Sequence, residues 1–556
     1  MEGFESEDTT FKDFDGKDVT KIILDSPKEV PEIRKNFEEE GIRCYEADVR
    51  FAYRFLIDNG LLGTIEIDGD YDSTGEIDRV YREPEIRPAA FTPKLNVLAI
   101  DIETNARTSQ IYSISFYSEK HKGVLIHSDK ELNNATCCAS EEDLLNRFID
   151  KIRELDPDVI TGWNVIDFDL ETIKKRLKKY NIPFCLGRDN SICKIKNEKG
   201  YFKSSTVDMP GRVVLDGIAL LKSSFIKMGS YKLDDVAEHY LGEKKLVGFK
   251  DKKKEIIEMF KNNPQKLADY NLKDSELVYR ILEKSDTLNL TMQRSLLTGM
   301  PLDRVGASIA SLDQLYLREA RKRGIVCPSG SYNVKEERIK GGYVKESEPG
   351  IYDYILVLDF KSLYPSIIRT FNIDPASFVQ NCKGNVVKAP NGACFRNEDG
   401  ILPTIIQRLW EARDKARKEK NELARYAIKI LMNSMFGVMA SPACRFFSLD
   451  VANAITHFGQ HLIKLTAEKI EEKGYHVIYE DTDSALTLSK AKSLDEANEI
   501  GEKLQKEINA FYQDHIQKEY GRKSHLELEY EKCFIRFIMP KLRGQYIGAK
   551  KRYAGL

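Results

Sequence analysis

The chain has 556 residues, of which 42% are hydrophobic, and its formal net charge is −2. This composition excludes a disordered chain and a uniformly basic nucleic-acid binder, and the length predicts about three or four domains. The acidic start, MEGFESEDTT, excludes a signal peptide, and no stretch approaches the length of a membrane span. The ten cysteines form no CxxC pair, which argues against a zinc site.

The first half of the chain changes pattern at Leu95. Before it, the segment VPEIRKNFEEEG is amphipathic, DVRFAYRFLIDNGLL is mixed, and residues 64–95 indicate loops joining weak strands. The apolar run from Asn96 to Ile102 predicts a buried strand. Helical segments, EEDLLNRFIDKIREL and LETIKKRLKKY, then alternate with apolar runs to about residue 285. This alternation predicts an α/β domain.

The second half begins with a helical stretch from Gln293 to Gly324 and a buried strand, YDYILVLDF. Residues 403–440 read as helix, and EKGYHVIYEDTDSALTL predicts a hairpin with an acidic tip. SLDEANEIGEKLQKEINAFY predicts an amphipathic helix, and LELEYEKCFIRFIMP predicts a pair of strands. Cys382 and Cys394 bracket a loop and could pair, but we expect two reduced thiols.

A first set of carboxylates lies in the predicted α/β domain. Asp101 and Glu103 are two apart on a strand, so both project from the same face, at its carboxyl end. Asp169 lies where a strand gives way to a helix, and Tyr270 and Asp274 are four apart on one helix face. Each residue alone is more typical of a surface charge or a helix cap. Together they predict a site for divalent metal ions, with the tyrosine orienting a nucleophile.

A second set of carboxylates follows in the second half. Asp359 ends a buried strand, and Asp481 and Asp483 flank Thr482 at the hairpin tip. They converge only if the two strands lie side by side; chance DxD turns are the alternative. A pair of divalent ions can stabilise the attacking and leaving oxygens of a phosphoryl displacement. Two such sites predict phosphoryl chemistry twice, on a substrate rich in phosphate.

Two further features could meet phosphate. In YAIKILMNSMFG, Lys429, Asn433, Phe436 and Gly437 share one helix face, which is more often a packing face. From Lys532 to the end there are seven Lys or Arg and no Asp or Glu, a tail that either contacts a phosphate backbone or is simply solvated.

These motifs resemble those of the family B DNA polymerases. The order DIE, NxxxFD, YxxxD resembles the 3′→5′ exonuclease of that family, and DFKSLYPSI, KxxxNSxFG and YEDTDS resemble its motifs A, B and C. The resemblance implies an α/β multidomain fold. It implies a ribonuclease-H-like exonuclease domain, a palm with an antiparallel sheet and short helical fingers, with the thumb absent. The implied function is template-directed synthesis from dNTPs with proofreading, using two Mg²⁺ per site, for which Mn²⁺ substitutes.

The resemblance also implies domain boundaries. They are an N-terminal domain (1–94), the exonuclease (95–290), a linker (291–345), the palm (346–402 and 441–556) and the fingers (403–440).

The site residues are carried over motif by motif. The implied metal ligands are Asp101, Glu103, Asp169, Asp274, Asp359, the backbone of Phe360, and Asp483, with Asp481 in support and Tyr270 orienting water. The implied nucleotide contacts are Ser362, Leu363, Tyr364 (under the sugar), Arg413, Arg417, Lys429 and Asn433. The implied DNA contacts are Asn164 and Phe168 at the strand end, Gly341, Gly342 and Tyr343 of GGYV, and Lys550, Lys551, Arg552 and Tyr553 of KKRY.

Four departures from the family pattern have structural consequences. Leu170 and Glu171 follow Asp169 where the family often has a tyrosine, and Phe436 replaces a tyrosine. Glu480 replaces a glycine, and could raise neighbouring pKa values or reach toward the primer end. Only 15 residues separate Arg413 from Lys429. On one straight helix they would be about 24 Å apart. We therefore predict a turn near Lys420–Asn421 and short fingers.

The sequence ends just after KKRY, where family members continue into a thumb. The expectation is a split polymerase of archaeal type whose thumb is a second polypeptide, through which a sliding clamp could be reached; a truncated chain is the alternative. We expect a cytoplasmic, nucleoid-associated protein that binds primer–template DNA and dNTPs and no membrane. An exonuclease-only protein and a non-catalytic replication scaffold are the competing functions.

Overall fold

The computed structural model describes residues 4–74, 77–197, 205–243, 252–330, 341–541 and 550–556. The chain forms two compact units. The central unit is Leu61–Ala307, and the composite unit joins Met1–Gly60 to Ser308–Leu556. This division is coarser than the domain boundaries given above, which remain predictions.

The central unit is an α/β structure, as predicted. Its strands are β3 (Ile65–Asp68), β4 (Tyr71–Thr74), β5 (Ile77–Tyr81), β6 (Glu85–Pro88), β7 (Val97–Thr104), β8 (Ile111–Tyr117), β9 (Lys122–His127), β10 (Ala135–Cys138), β11 (Val159–Gly162), β12 (Lys194–Lys196), β13 (Thr206–Asp208) and β14 (Val213–Asp216). Its helices are α3 (Glu141–Leu155), α4 (Glu171–Lys179), α5 (Gly217–Ser223), α6 (Leu233–Leu241), α7 (Lys252–Asn262), α8 (Pro264–Ser285) and α9 (Thr287–Thr298), and a π-helical turn spans Val165–Leu170. Four elements precede these in the chain and belong to the composite unit: β1 (Glu5–Lys12), β2 (Asp18–Ile23), α1 (Val30–Glu39) and α2 (Phe51–Asp58).

Six strands of the central unit form one sheet in the order β10-β9-β8-β7-β11-β14. Only β8 is antiparallel to its neighbours, so the carboxyl ends of the other five meet at one edge. Along β7, Leu98 and Ile100 pack into the core that contains α3, whereas Val97 and Ala99 pack on the side of α8. The same two-residue alternation brings Asp101 and Glu103 to the α8 face, at the carboxyl edge.

The composite unit is built around an antiparallel sheet. The N-terminal segment contributes β1 (Glu5–Lys12), β2 (Asp18–Ile23), α1 (Val30–Glu39) and α2 (Phe51–Asp58). The rest contributes α10 (Ser308–Lys322), β15 (Gly350–Phe360), α11 (Leu363–Thr370), β16 (Phe378–Val379), β17 (Val386–Lys388), β18 (Cys394–Arg396), α12 (Ile401–Lys418), α13 (Glu422–Met439), α14 (Leu449–Glu472), β19 (His476–Asp481), β20 (Ser484–Leu488), α15 (Leu494–Tyr520), β21 (Leu528–Met539) and β22 (Ala554–Gly555). The main sheet has the order β19-β20-β15-β21-β22.

Two predictions for this sheet had different outcomes. The acidic hairpin is confirmed, with β19 and β20 joined at Thr482 and Asp483. The strand pair predicted for LELEYEKCFIRFIMP is wrong, because β21 is a single strand that runs along the whole of β15. The segment contains no Gly, Pro, Asn or Asp before Pro540 that would favour a turn. The pairing between β21 and β15 shifts its register at Val357 and Leu358, without a turn in β21.

The turn predicted between Arg413 and Lys429 is confirmed. Helix α12 ends at Lys418, Lys420 has a left-handed backbone (φ 56°), and α13 begins at Glu422. The Asn421 side chain caps α13 by accepting a hydrogen bond from the Ala424 amide. The predicted helix therefore folds back on itself as an antiparallel pair. Within the described residues, no helix is both long and apolar enough to cross a membrane.

The expectation of reduced thiols at Cys382 and Cys394 is wrong, because the two residues form a disulfide. Their Cα atoms lie 5.5 Å apart, a separation that a disulfide can bridge. Cys394 begins β18, which pairs with β16 and β17, so the small sheet brings the two ends of the loop together.

Loss of this disulfide should destabilise the composite unit. Closing a loop of this length stabilises a protein by about 3 kcal/mol in the loop-entropy account. We expect Cys382→Ser, and likewise dithiothreitol added to the wild type, to lower the urea midpoint of that unit, and Cys533→Ser, at a free cysteine, to leave it unchanged. Equal midpoints for wild type and Cys382→Ser would contradict a stabilising role.

Candidate active sites

The central unit brings three predicted ligands together. Carboxylate oxygens of Asp101, Glu103 and Asp274 all lie within 4.8 Å of one another. Asp101 and Glu103 come from β7, and Asp274 from α8, which packs across β7 and β8. Three carboxylates at this distance repel one another unless protons or cations intervene. The cluster therefore has the oxygen donors and the negative potential that a divalent cation requires.

Asn271 fixes the helix that carries Asp274. Its Nδ2 donates to Asp101 Oδ2 at 2.7 Å, and its Oδ1 accepts from Ser113 Oγ at 2.9 Å. Ser115 Oγ also donates to the Asn271 carbonyl at 2.9 Å. These bonds tie α8 to β7 and β8 and hold the Asp101 carboxylate in one orientation. Asn271 was missed from the sequence because its only signal is its place between Tyr270 and Asp274.

Asp169 joins the cluster from the side. It lies in the π-helical turn after β11 and is buried, and its Oδ1 accepts a hydrogen bond from the Ile102 amide at 3.0 Å. Burial and the charge of Asp101 raise the pKa of its carboxyl well above the usual range. It is not one of the three oxygens that meet within 4.8 Å. The backbone bond to β7 nevertheless fixes it beside Asp101.

Three other predicted residues belong to the elements that carry the cluster. Phe168 precedes Asp169 and is 47% exposed, and Asn164 is exposed with a left-handed backbone (φ 63°). Tyr270 is buried, and burial together with the charge of Asp274 raises the pKa of its phenol, which therefore stays protonated. An exposed aromatic ring next to a buried carboxylate is suited to stacking on a base.

The composite unit holds the second set of carboxylates. Asp359 on β15 is paired with Ser484 on β20, and the Phe360 amide donates to the Asp483 carbonyl at 2.8 Å. The two strands thus lie side by side, as the sequence required. Burial, then the charges of Asp483, Glu531 and Glu529, raise the pKa of Asp359 to about 7.

Asp481 is oriented differently from the other two. Its Oδ1 lies 3.2 Å from Lys551 Nζ and accepts a hydrogen bond from Thr482 Oγ1 at 3.0 Å. Thr482 has a left-handed backbone (φ 59°) at the hairpin tip. Within the described residues, Asp359, Asp481 and Asp483 do not form a group of three within 4.8 Å. Asp481 is thus paired with a lysine of the basic tail, whereas the charge of Asp483 acts on Asp359.

The predicted nucleotide contacts lie on α11, α12 and α13. Ser362 has a left-handed backbone (φ 50°) just before α11, and Arg413 Nη1 donates to its Oγ at 3.4 Å. The Tyr364 ring lies 4.6 Å from the Phe436 ring. Leu363 is buried at the start of α11, whereas Arg417, Lys429 and Asn433 are exposed.

A third guanidinium belongs to this group. Burial, followed by the nearby charge of Arg425 and the smaller effect of Arg417, lowers the pKa of Arg413. Arg425 lies one helical turn before Lys429, on the same face of α13. The antiparallel fold of α12 and α13 thus brings three guanidinium groups near one another, with Glu422 paired to Arg425 and Asp414 paired to Arg417. The sequence signal for Arg425 was its spacing of four from Lys429.

The GGYV and KKRY segments converge on the acidic hairpin. The Thr482 amide donates to the Tyr343 carbonyl at 2.9 Å, and Val344 pairs with Asp481. A Cβ on Gly342 would lie 2.8 Å from the Thr482 side chain, so this approach requires glycine. The Lys551 amide donates to Tyr479 Oη at 2.9 Å.

Tyr553, from the same tail, packs its ring on the sheet. Its centroid lies 5.2 Å from that of Phe537 and 6.3 Å from that of Tyr479. Lys550, Lys551, Arg552 and Tyr553 are all exposed. Both segments therefore present polar and basic groups beside the second set of carboxylates.

Glu480 faces away from the acidic pair. It is 3% exposed, and burial raises the pKa of its carboxyl to about 7, with Lys345, Glu471 and Lys464 as the next influences. It is not among the groups that shift the pKa of Asp359 or Asp483. The influence on these neighbours that the sequence suggested is therefore not present.

Comparison with known proteins decides the family. Residues 304–556 match the model of DNA polymerase family B, and residues 42–236 match the model of its exonuclease domain. DNA polymerase II of Escherichia coli is 38% identical, over 100% of this chain and 72% of that protein. DNA polymerase 1 of Pyrococcus abyssi is 30% identical, over 97% of this chain and 67% of that protein. The chain belongs to family B of the DNA polymerases.

The fold agrees with this assignment. The structure of the family B DNA polymerase from the archaeon Pyrobaculum calidifontis aligns with a TM-score of 0.72 and 24% identity, over 100% of this chain and 72% of that one. The chain is thus a DNA polymerase with an exonuclease domain. Identity to the bacterial enzyme exceeds identity to the P. abyssi enzyme, so these matches establish the family and not the archaeal type.

The sequence missed two acidic residues of this family B chain. Glu529 and Glu531 lie on β21, and both raise the pKa of Asp359. The alternation in LELEYE gave the signal, since glutamates at every second position share one face of a strand. The predicted strand pair concealed this signal, because a turn within the segment would have separated Glu529 and Glu531 from Asp359.

Neutralising Asp359 should stabilise the metal-free protein at high pH. Its pKa is about 7 when folded and 3.8 in model compounds, so ionisation costs folding free energy that grows as pH rises from 4 to 7. In EDTA we expect Asp359→Asn to raise the free energy of unfolding by about 2 kcal/mol at pH 8, after allowance for solvent screening of a half-buried carboxylate, and the gain to vanish near pH 4. Calorimetry across this range measures it. Asp514→Asn, exposed on α15, is the control, and a gain independent of pH would contradict the prediction.

Removing Arg425 should weaken dNTP binding. We expect Arg425→Ala to raise the KM for dNTPs about fivefold in primer extension with little change in kcat, because a partly exposed cation near a phosphate contributes modestly. Lys418→Ala is the matched control, since Lys418 lies on another face of α12 and is exposed. An equal rise in both variants would show a general charge effect instead.

Proposed function

We propose that this polymerase extends a primer on a template strand and trims mispaired 3′ ends, with two divalent metals at each of its two sites. One observation carries the proposal. Each unit holds its own carboxylates at the edge of its own sheet: Asp101, Glu103 and Asp274 in the central unit, and Asp359 with Asp483 in the composite unit. The charges that act most on the pKa values of Asp359 and Asp483 belong to other carboxylates, and Lys551 is the cation that acts on Asp483.

The residues of both sites fit hard divalent cations. All the proposed side-chain ligands are carboxylates, and the raised pKa values of Asp169 and Asp359 reflect burial and mutual repulsion that a cation would relieve. Asp101, Glu103, Asp169 and Asp274 would hold Mg²⁺ in one site, and Asp359, Asp483 and the Phe360 carbonyl in the other. Bound there, the ions supply activation of the nucleophile and charge neutralisation at the leaving oxygen.

In the polymerase site, the protein's own groups orient the incoming dNTP. Amides at the start of α11, near Ser362 and Leu363, would receive the triphosphate, because a helix N-terminus carries positive potential. Arg413, Arg417 and Lys429, with Arg425, would offset the charge that develops on pyrophosphate, with Asn433 exposed on the same face of α13. Tyr364, packed against Phe436, would lie under the sugar and exclude a 2′-hydroxyl.

In the exonuclease site, the 3′ end would lie between Phe168 and Asn164. The exposed Phe168 ring would stack on the terminal base, which positions the last phosphodiester beside Asp101 and Glu103. Tyr270 would orient the attacking water, since its protonated phenol can donate a hydrogen bond.

The GGYV and KKRY segments would hold the DNA duplex. Gly341, Gly342 and Tyr343 would contact the template strand, and Lys550, Lys551, Arg552 and Tyr553 the duplex minor groove, in a sequence-neutral manner.

Single substitutions should separate the two activities. With labelled primer–template and Mg²⁺, we expect the wild type to lengthen the primer with dNTPs and to shorten it without them. Asp483→Ala should abolish extension, by at least about a thousandfold, and leave trimming intact; Asp101→Ala should do the reverse.

The controls distinguish the competing functions. Asp514→Ala, distant in sequence from both motif sets, should retain both activities. A scaffold protein does neither reaction, and an exonuclease-only protein shortens the primer under both conditions. Extension that survives Asp483→Ala would show that the polymerase site has been wrongly assigned.

A further inference from the structure

The central unit contains a cleft that none of the proposed catalytic residues line. It has a volume of about 670 Å³ and lies where β9 ends and α7 gives way to α8. His127 and Lys130 line it from the end of β9, and Lys261 and Pro264 from the two helices.

The cleft lies on the same sheet edge as the exonuclease carboxylates. Glu103 on β7 is opposite Ser113 on β8, which is opposite Ile126, the residue before His127. Two strand spacings therefore separate Glu103 from this end of β9, about 10 Å. Helix α8 gives an independent measure, because it begins in the cleft at Pro264 and reaches Asp274 ten residues later, about 15 Å along its axis.

The lining suits an anion. Lys130 and Lys261 are both exposed, and neither has an ion-pair partner among the described residues, whereas Asp129 is the single acidic residue of the lining. The N-terminus of α8 adds positive potential to the same wall. The cleft thus offers two cations and a helix terminus against one carboxylate.

We propose that this cleft binds a backbone phosphate of the DNA strand whose 3′ end occupies the exonuclease site. The proposal rests on the exonuclease function proposed above. At about 3.4 Å per stacked nucleotide, 10–15 Å corresponds to three or four nucleotides. The cleft therefore holds the strand upstream of the bond that is cut, and substrates shorter than this do not reach it. Lys130 and Lys261 act as positioning residues and do not touch the reacting atoms.

The released mononucleotide carries the same phosphate chemistry, and substrate length separates the two sources. A single-stranded octanucleotide spans the cleft and the carboxylates, whereas a dinucleotide covers only the carboxylates. A cleft that bound the product would affect both substrates equally.

The test measures trimming of both substrates by the full chain with Mg²⁺. We expect Lys130→Ala/Lys261→Ala to raise the KM for the octanucleotide about tenfold with kcat unchanged, and to leave kcat/KM for the dinucleotide unchanged. The matched control is Lys120→Ala/Lys122→Ala, whose exposed lysines lie at the opposite end of β9. In EDTA, octanucleotide binding to the cleft variant should also depend less on salt, with a log–log slope shallower by about 0.7 for each phosphate that the variant no longer binds.

Each outcome decides the proposal. A KM effect restricted to the octanucleotide and to the cleft variant supports it. Equal effects on both substrates, an equal effect of the control, or no effect overturn it while leaving the exonuclease assignment intact. A wild type that trims neither substrate overturns the exonuclease assignment itself. Lys261→Gln alone, with an expected rise in KM of about threefold, provides a second and milder variant.

Discussion

Repulsion between like charges at the edge of a sheet is the constraint on which both sites depend. Carboxylate oxygens of Asp101, Glu103 and Asp274 are held within 4.8 Å of one another, and Asp359 lies opposite the start of β20, next to the turn that contains Asp483. Left to themselves, such carboxylates would separate or take up protons. The surrounding structure prevents separation: buried strands supply one side, and α8, tied down by Asn271, supplies the other. Stability is therefore given up locally so that cations can be bound strongly.

Like charges are also brought close together among the protein's own cationic side chains. Lys551 reaches Asp481, and the arginines of α12 and α13 stand close enough to repel one another. Under the proposed function, a bound triphosphate would offset the repulsion between these arginines, and bound cations would offset the repulsion between the carboxylates at the strand ends.

Much of this arrangement could be predicted from the sequence, because it follows from spacing. Residues two apart on β7 had to share a face, and the separation of Arg413 from Lys429 required the turn found at Lys420. The errors come from long-range pairing. The lack of turn residues favours an unbroken β21, but nothing local shows that this strand pairs with β15, and so Glu529 and Glu531 were not placed near Asp359. Asn271 was missed for the same reason, since its contacts depend on which elements become neighbours. The Cys382–Cys394 disulfide was considered but rejected, because reduced thiols are expected in a cytosolic chain. The hairpin β1–β2 was missed because its exposed strands have no apolar pattern.

The connection between α12 and α13 has an evolutionary consequence. Both helices are 18 residues long, and only Glu419, Lys420 and Asn421 join them. Arg413 and Arg425 lie at similar positions along the two helices, because they are almost equally far from this connection. Residues inserted between α12 and α13 would lengthen the connection without disturbing that alignment. An insertion within one of the two helices would instead rotate Arg413 or Arg425 by part of a turn relative to the other. Natural length variation in this region should therefore accumulate in the connection between α12 and α13 and not within the two helices.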